Sequence, residues 1–353
     1  MNSTHTREDL LIMQSLPLEV KVRMTQTRIR EWVNYWQSWN TFVSFSGGID
    51  STVLLHIVRD MYPEMPAIFV NTTNEFPEVV EFVNSFDNVT TLTPQIGMAA
   101  VIKQYGYPII SKEVAGCVAL ARKHSAEGVP TEDNPELCRL LGTGKYKRER
   151  GYTKGSLGKY SFERWKGLLD APFAISNKCC DELKKKPVYA YARKTYRNRP
   201  ILGTLASESI LREQAWLRTG CNAFEAKKPH SKPMSFWLKN DVLRYAKENG
   251  LQICSLYGDI VEITADVVGG EDGYQQTITF GDIPLKTTGA DRLGCIVCGF
   301  GCAIEGDDRF LRLRELYPNK YEWCMKPVEQ GGLGYREVLQ WLNDNTGTHI
   351  RYE

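Results

Sequence analysis

Two groups of residues in this sequence have the types and spacing for chemistry. The first is Ser46-Gly47-Gly48-Ile49-Asp50-Ser51-Thr52, which follows the apolar run Thr41-Phe42-Val43-Ser44-Phe45 and leads into the helical pattern of residues 51–62. Two adjacent glycines at the end of a strand let backbone approach an anion without Cβ interference. The helix that follows points its free N–H groups and positive end at the same place. Ser44, Ser46, Gly47, Gly48, Ser51 and Thr52 are therefore candidate nucleotide-phosphate contacts. Asp50 would repel a phosphate, so its expected task is to hold Mg²⁺ or to fix the loop. The lysine and the GxxxxGK[ST] spacing of a Walker loop are absent. The bland alternative is the glycine turn that any parallel sheet can contain.

The second group is cysteine. Ten are present, and they cluster: Cys179-Cys180 is vicinal, and Cys295-Ile296-Val297-Cys298-Gly299-Phe300-Gly301-Cys302 packs three into eight residues. A CxxC turn aims two sulfurs at one metal, and small glycines leave room for a cluster and for N–H bonds to its sulfides. Four thiolates suit either Zn²⁺ or a [4Fe–4S] cluster. Neighbouring side chains diverge, so the vicinal pair is awkward for one tetrahedral zinc and favours the cluster. Cys179, Cys180, Cys295, Cys298 and Cys302 are the candidate ligands. Cys117, Cys138, Cys221 and Cys254 stand singly in apolar settings and read as core.

These groups need a scaffold. Residues 8–38 carry apolar side chains at helical spacing around Pro17 and read as a helical N-terminal extension, residues 1–40. From Thr41, short apolar strands (TFVSF, AIFVN, VTTL, RPILGTLA) alternate with amphipathic helices, which predicts an α/β, Rossmann-like parallel sheet with helices on both faces. This domain is expected over residues 41–257, with its sheet running to about residue 260. A basic stretch at 142–167 interrupts it, with eight Lys or Arg against Glu149 and Glu163 and with aromatics interleaved. Residues 258–292 read as a β-hairpin insertion around GGEDG, and residues 293–353 as the cysteine motif with C-terminal helices.

The bulk composition excludes several classes. Of 353 residues, 42% are hydrophobic and 24% charged, with a formal net charge of +2, so no global field draws the chain to nucleic acid or membrane. No apolar run is long enough to span a bilayer and no secretory leader is legible, so a cytoplasmic protein is expected. Clustered cysteines in a reducing compartment favour metal or redox chemistry over disulfides. Five scattered histidines argue against a His-based metal site.

The SGGxDS string resembles that of the PP-loop superfamily, which implies binding of ATP, or of an adenylyl nucleotide, with cleavage between the α- and β-phosphates. Asn71-Thr72-Thr73-Asn74-Glu75-Phe76-Pro77-Glu78 looks like that family's adenosine-facing segment, placing Asn71 and Thr72 on the nucleotide. Cys179-Cys180-Asp181-Glu182-Leu183-Lys184-Lys185-Lys186-Pro187 resembles the CCxxxKxxP motif of cluster-containing adenylylsulfate and phosphoadenylylsulfate (PAPS) reductases. The resemblance implies a [4Fe–4S] cluster held by the paired cysteines and the later CxxC, with Lys184 near it, where a cation offsets negative charge. Gly203 to Arg212 (GTLASESILR) matches the family's strand-to-helix motif and puts Glu208, Ser209 and Arg212 on its functional positions.

Three departures shift the expectation. Leu205 and Ala206 stand where the reductases carry two arginines, and bidentate guanidinium contacts are the natural way to hold a sulfate. The final residues read GTHIRYE rather than a cysteine-bearing tail. Cys302 is an additional thiol beside the CxxC. The leading expectation is an iron–sulfur sulfurtransferase that forms AMP and pyrophosphate, with features of DNA-phosphorothioation enzymes, in which Asp50, Lys184 and Arg212 are catalytic. Expected partners are ATP or adenylylsulfate and a sulfur or electron donor protein. Nucleic acid and a second copy of the chain are further candidates. The segment from Lys145 to Lys166 fits phosphate contact with base stacking, and equally a solvated lid. An assimilatory sulfonucleotide reductase and a non-catalytic nucleotide-binding cluster protein of a defence complex are the alternatives.

Overall fold

The computed structural model describes residues 5–146, 161–263 and 283–353. Most of the basic segment and the centre of the expected hairpin lie outside the described residues. In chain order, α1 (Arg7–Gln14) and α2 (Leu18–Trp36) precede β1 (Thr41–Ser44), α3 (Ile49–Met61), β2 (Ala67–Val70), α4 (Pro77–Asn84) and β3 (Val89–Leu92). Then come α5 (Met98–Tyr105), β4 (Ile109–Ile110), α6 (Lys112–Ala126), α7 (Pro135–Leu141), α8 (Lys186–Thr195), β5 (Arg199–Leu202), α9 (Ile210–Thr219), β6 (Asn222–Ala223) and β7 (His230–Ser231). The order closes with α10 (Lys239–Glu248), β8 (Ile260–Glu262), β9 (Leu285–Thr287), β10 (Gly299–Phe300), α11 (Arg309–Leu316), α12 (Pro318–Met325) and α13 (Tyr335–Thr346). Contacts divide the chain into two compact units. One comprises Met1–Asn71, Glu75–Thr93 and Pro187–Gly294, the other Thr72–Asn74, Pro94–Lys186 and Cys295–Glu353.

The first unit holds the six-stranded sheet, in order β3-β2-β1-β5-β7-β6, a mixed α/β arrangement flanked by helices. Every neighbouring pair is parallel except β6 with β7. Strand β1 sits between β2 and β5, with Val43 opposite Ala67 and Ile201. Its side chains are covered on both faces, which is why it reads as a continuous apolar run rather than an alternating one. Helix α3 buries Val53, Leu54, Ile57 and Val58, the stripe that a helix laid on a sheet requires. The sheet ends earlier than the sequence suggests: beyond Ser231 no described residue joins it, and β8 and β9 instead form a separate antiparallel pair with Val261 opposite Lys286.

Helix α2 is built into this unit's core. Its inward stripe runs Leu18, Lys21, Thr25, Ile29, Trp32 and Val33. Two of those positions are polar, and each has a partner near α10. Lys21 Nζ lies 2.7 Å from Asp241 Oδ2, and Trp237 Nε1 donates to Thr25 Oγ1 at 2.9 Å. The buried ammonium is tolerable only because the carboxylate accompanies it.

In the second unit, β4 and β10 pair in parallel, Ile109 with Gly299 and Ile110 with Phe300. Edge-on aromatic contacts join Tyr107 to Phe173 and Tyr335, and Phe173 to Trp341. Arg122 donates to the carbonyls of Leu168, Ala171 and Phe173 at 2.7–2.8 Å, fixing an irregular stretch whose backbone acceptors have no ladder partner there. Among the described residues no helix is long and apolar enough to cross a membrane.

Candidate functional site

The glycine loop leaves β1 in the middle of the sheet and enters α3. Gly47 adopts φ +72°, and a Cβ there would stand 2.9 Å from Val79 Cγ1 and 3.0 Å from Val83 Cγ2, so both its backbone and its surroundings exclude a side chain. Gly203, at the end of β5, presses equally close: a Cβ would fall 2.9 Å from the Asp50 carbonyl oxygen. The loop hydroxyls hold the turn itself. Ser51 Oγ accepts from Ser46 N–H at 3.1 Å and donates to the Gly48 carbonyl at 2.8 Å, while Thr52 Oγ1 donates to the same carbonyl at 3.1 Å. Ser44 ends β1 and pairs with Ile68 and Leu202.

Asp50 occupies the first turn of α3. Its Oδ1 is buried and has no hydrogen-bond partner among the described residues, and the nearest cation is Lys239 Nζ at 3.7 Å. A buried carboxylate oxygen in this condition fits a cation ligand. One carboxylate, with water and substrate phosphates completing the shell, is the usual way a protein holds Mg²⁺. Tyr257 reaches the same helix end, where its hydroxyl accepts from Ile49 N–H at 3.1 Å. Burial pushes that phenol up to about 12, so it remains protonated throughout the neutral range.

Beside the loop, Glu208 gathers two guanidiniums. Its carboxylate pairs with Arg212 and, at 2.8 Å, with Arg292, and it also accepts from Leu205 N–H at 3.1 Å. Burial lowers the Arg212 pKa, and the neighbouring positive Arg292 lowers it further, while Asp50 acts in the opposite direction. Ser209 caps α9, accepting from Arg212 N–H at 3.3 Å, so its hydroxyl has a local structural task. Asn71 continues β2, donating its N–H to the Leu92 carbonyl at 2.9 Å. Lys239, Tyr257 and Arg292 were not among the sequence candidates. Nothing local marks Lys239 or Arg292, since each comes to this site from a distant segment, whereas Tyr257 belongs to the Leu256-Tyr257 turn that resembles the reductase family's.

The thiols lie in the second unit. Cys179 and Cys180 Sγ are 3.9 Å apart, immediately before a π-helical turn, Asp181–Lys185, a local widening common at functional positions. Cys179 donates to Cys180 and is pushed up by doing so. Cys180 is pushed down, first by that hydrogen bond and then by the Lys112 and Lys184 ammonium groups. Lys184, the lysine of the sequence motif, and Lys112, at the start of α6 and unanticipated, therefore both act on Cys180. Cys298 and Cys302 are raised by burial, Cys302 to about 11. Cys179 interacts electrostatically with Cys295 and Cys298, and Cys298 with Cys180 and Cys302, so all five candidate thiols belong to one region.

The loop around them is tightly specified. Gly301 N–H donates to the Ile110 carbonyl at 2.7 Å, and Arg309 bonds the Cys298 carbonyl at 3.0 Å while gripping Asp307 through two nitrogens at 2.7 Å. Thr72 is fully buried, with its hydroxyl 4.0 Å from Cys295 Sγ. The side chain that the sequence resemblance places on the nucleotide thus also approaches one of the candidate thiols. Among the described residues no group of three or more His, Cys, Asp or Glu is arranged to hold a metal ion. The donor set, five soft thiols with two ammonium groups against one of them, nevertheless has the chemistry that an iron–sulfur cluster takes. Cys117, Cys138, Cys221 and Cys254 are buried, and Cys117 and Cys138 donate to backbone carbonyls at 3.4 and 3.1 Å.

Residues 40–108 match the family described as "Phosphoadenosine phosphosulfate reductase domain". No curated protein matches the chain. Among solved structures, the phosphoadenylyl-sulfate (PAPS) reductase from Candida auris, a phosphate complex, aligns at 12% identity over 72% of this chain and 93% of its own, with a TM-score of 0.36. The FMN adenylyltransferase of Candida glabrata aligns at 9% identity over 68% of this chain and 58% of its own, with a TM-score of 0.35. The segment that matches the phosphoadenosine phosphosulfate reductase domain contains β1, the SGGxDS loop and α3, so the likeness rests on the part of the chain that carries the glycine loop.

Proposed function

We propose that this protein is an ATP-dependent sulfurtransferase that releases AMP and pyrophosphate and carries a [4Fe–4S] cluster on thiols drawn from Cys179, Cys180, Cys295, Cys298 and Cys302. The observation that carries the nucleotide half is the buried Oδ1 of Asp50, which has no hydrogen bond among the described residues and only Lys239 at 3.7 Å, next to a loop whose Gly47 excludes a side chain. ATP·Mg²⁺ binds with its phosphates on the loop and the metal on Asp50. An acceptor oxygen attacks the α-phosphorus, the bond to the β-phosphate oxygen breaks, and pyrophosphate leaves. A sulfur nucleophile then displaces AMP from the activated acceptor. Adenylylation is what turns a poor oxygen leaving group into a good one. Arg212 neutralises phosphate charge as it shifts between oxygens. When bound, the cluster supplies redox-active iron and a site for sulfide. Lys184 and Lys112 offset the charge gathered around Cys180. Nucleic acid is the acceptor class that the basic, aromatic segment from Lys145 to Lys166 fits.

The test is ATP–pyrophosphate exchange on anaerobically prepared protein, run over DNA, tRNA and small acceptors, with iron and sulfide measured on the same sample. Label exchange with AMP as product supports the reading, whereas ADP as product overturns it. The match over residues 40–108 favours a second reading, reduction of a sulfonucleotide. Against it stands the burial of Leu205 and Ala206, which leaves no anion-binding side chain where the reductases place arginines. Sulfite release from labelled adenylylsulfate with thioredoxin, in the absence of pyrophosphate exchange, would establish that second reading.

A further inference from the structure

We propose that Arg212 and Arg292, held together by Glu208, form a clamp for the terminal diphosphate of the nucleotide, so that Arg292 is a specificity residue for ATP over AMP. Three observations lead there. One carboxylate serves two guanidiniums, with Arg292 Nη2 at 2.8 Å from Oε1 and Arg212 on Oε2, so the group keeps an excess positive charge. The three side chains grade outward, Glu208 at 17% exposure, Arg212 at 37% and Arg292 at 66%, which leaves the outer guanidinium's remaining donors turned to solvent. Arg212 also interacts electrostatically with Asp50, which places the pair at the glycine loop rather than elsewhere on the unit.

Two like charges are brought together at a cost unless something negative sits between or beside them. Glu208 cancels one. A diphosphate supplies the remainder, and its oxygens suit the planar donor fork of arginine. Lys232 adds to the field, as Arg212 lowers its pKa after burial does. Arg212 belongs to the same motif as Leu205 and Ala206, whereas Arg292 reaches Glu208 from eighty-four residues further along the chain. The ligand differs accordingly: a clamp at this spot takes the leaving diphosphate of ATP.

The proposal rests on the loop being an ATP site, and the experiment separates the two. Calorimetric titration of the full-length protein with Mg²⁺-ATP, inorganic pyrophosphate and AMP is compared for wild type, Arg292→Ala and Arg292→Lys. Expected for Arg292→Ala is a loss of about ten-fold or more in affinity for pyrophosphate and ATP, with AMP affinity held within about two-fold. Arg292→Lys, which keeps the charge and loses the fork, falls between wild type and Arg292→Ala. An unchanged pyrophosphate affinity in Arg292→Ala, or an equal loss for AMP, overturns the clamp while leaving the ATP site standing. Wild-type protein that binds neither ATP nor AMP overturns both. Far-ultraviolet circular dichroism on each variant excludes misfolding as the cause of any loss.

Discussion

Replacing Gly47 by alanine tests whether the loop is a built cradle or an incidental turn. Two costs act together. At φ +72° an L side chain meets its own backbone, which costs about 1–2 kcal/mol. The new methyl would also stand 2.9 Å from Val79 Cγ1 and 3.0 Å from Val83 Cγ2, both buried in α4, and forcing a group into packed space costs about 1–3 kcal/mol. Their sum, about 2–5 kcal/mol, is a large share of the 5–15 kcal/mol by which domains are ordinarily stable. Urea unfolding followed by tryptophan fluorescence should show the midpoint falling with an unchanged m value. Mg²⁺-ATP affinity should fall as well, because a loop that shifts to relieve the clash no longer presents its N–H groups in register. Adding Val79→Ala to Gly47→Ala should recover part of the steric cost, giving a coupling of about 1 kcal/mol between the two sites. An unfolding free energy within about 0.5 kcal/mol of wild type, with ATP binding intact, would refute the cradle.

Further outcomes are expected. Asp50→Asn should lower Mg²⁺-dependent ATP–pyrophosphate exchange by about 100-fold without lowering the unfolding midpoint, since Oδ1 has no hydrogen bond to lose. Cys295→Ser and Cys298→Ser should each lose iron on anaerobic purification, whereas Cys254→Ser, fully buried and remote in sequence from the cysteine loop, should retain it. Lys21→Met should destabilise the fold by about 3–5 kcal/mol in chemical unfolding, because it leaves the buried Asp241 carboxylate without its cation. Lys21→Arg, which keeps the charge in a larger group, should cost less.

The strand–loop–helix that carries the candidate nucleotide site was legible because its determinants are local. Apolar strand, paired glycines and helical periodicity all fall within residues 41–62, and the structure places β1 and α3 there. The helices of residues 8–38 were legible for the same reason, though not that Lys21 and Thr25 point inward. A buried lysine is indistinguishable from a surface one until its partner, 220 residues away, is known. The same blindness hid Arg292 and Lys239, which belong to the loop only through the fold. The approach of Thr72 to Cys295 was equally hidden, because the two are separated by more than two hundred residues in sequence. The grouping of Pro94–Lys186 with Cys295–Glu353 was likewise invisible, since strands as short as β4 and β10 carry no periodicity to read.

That short pairing has a consequence for how the protein matures. Ile109–Ile110 cannot find Gly299–Phe300 until the ribosome has delivered every residue between them, and closing so long a loop is repaid by few contacts at first. The sulfur-rich turn therefore acquires its shape only after both strands of that pair have been made. Whatever those thiols receive must be delivered after the two segments have met, not while the first of them waits alone.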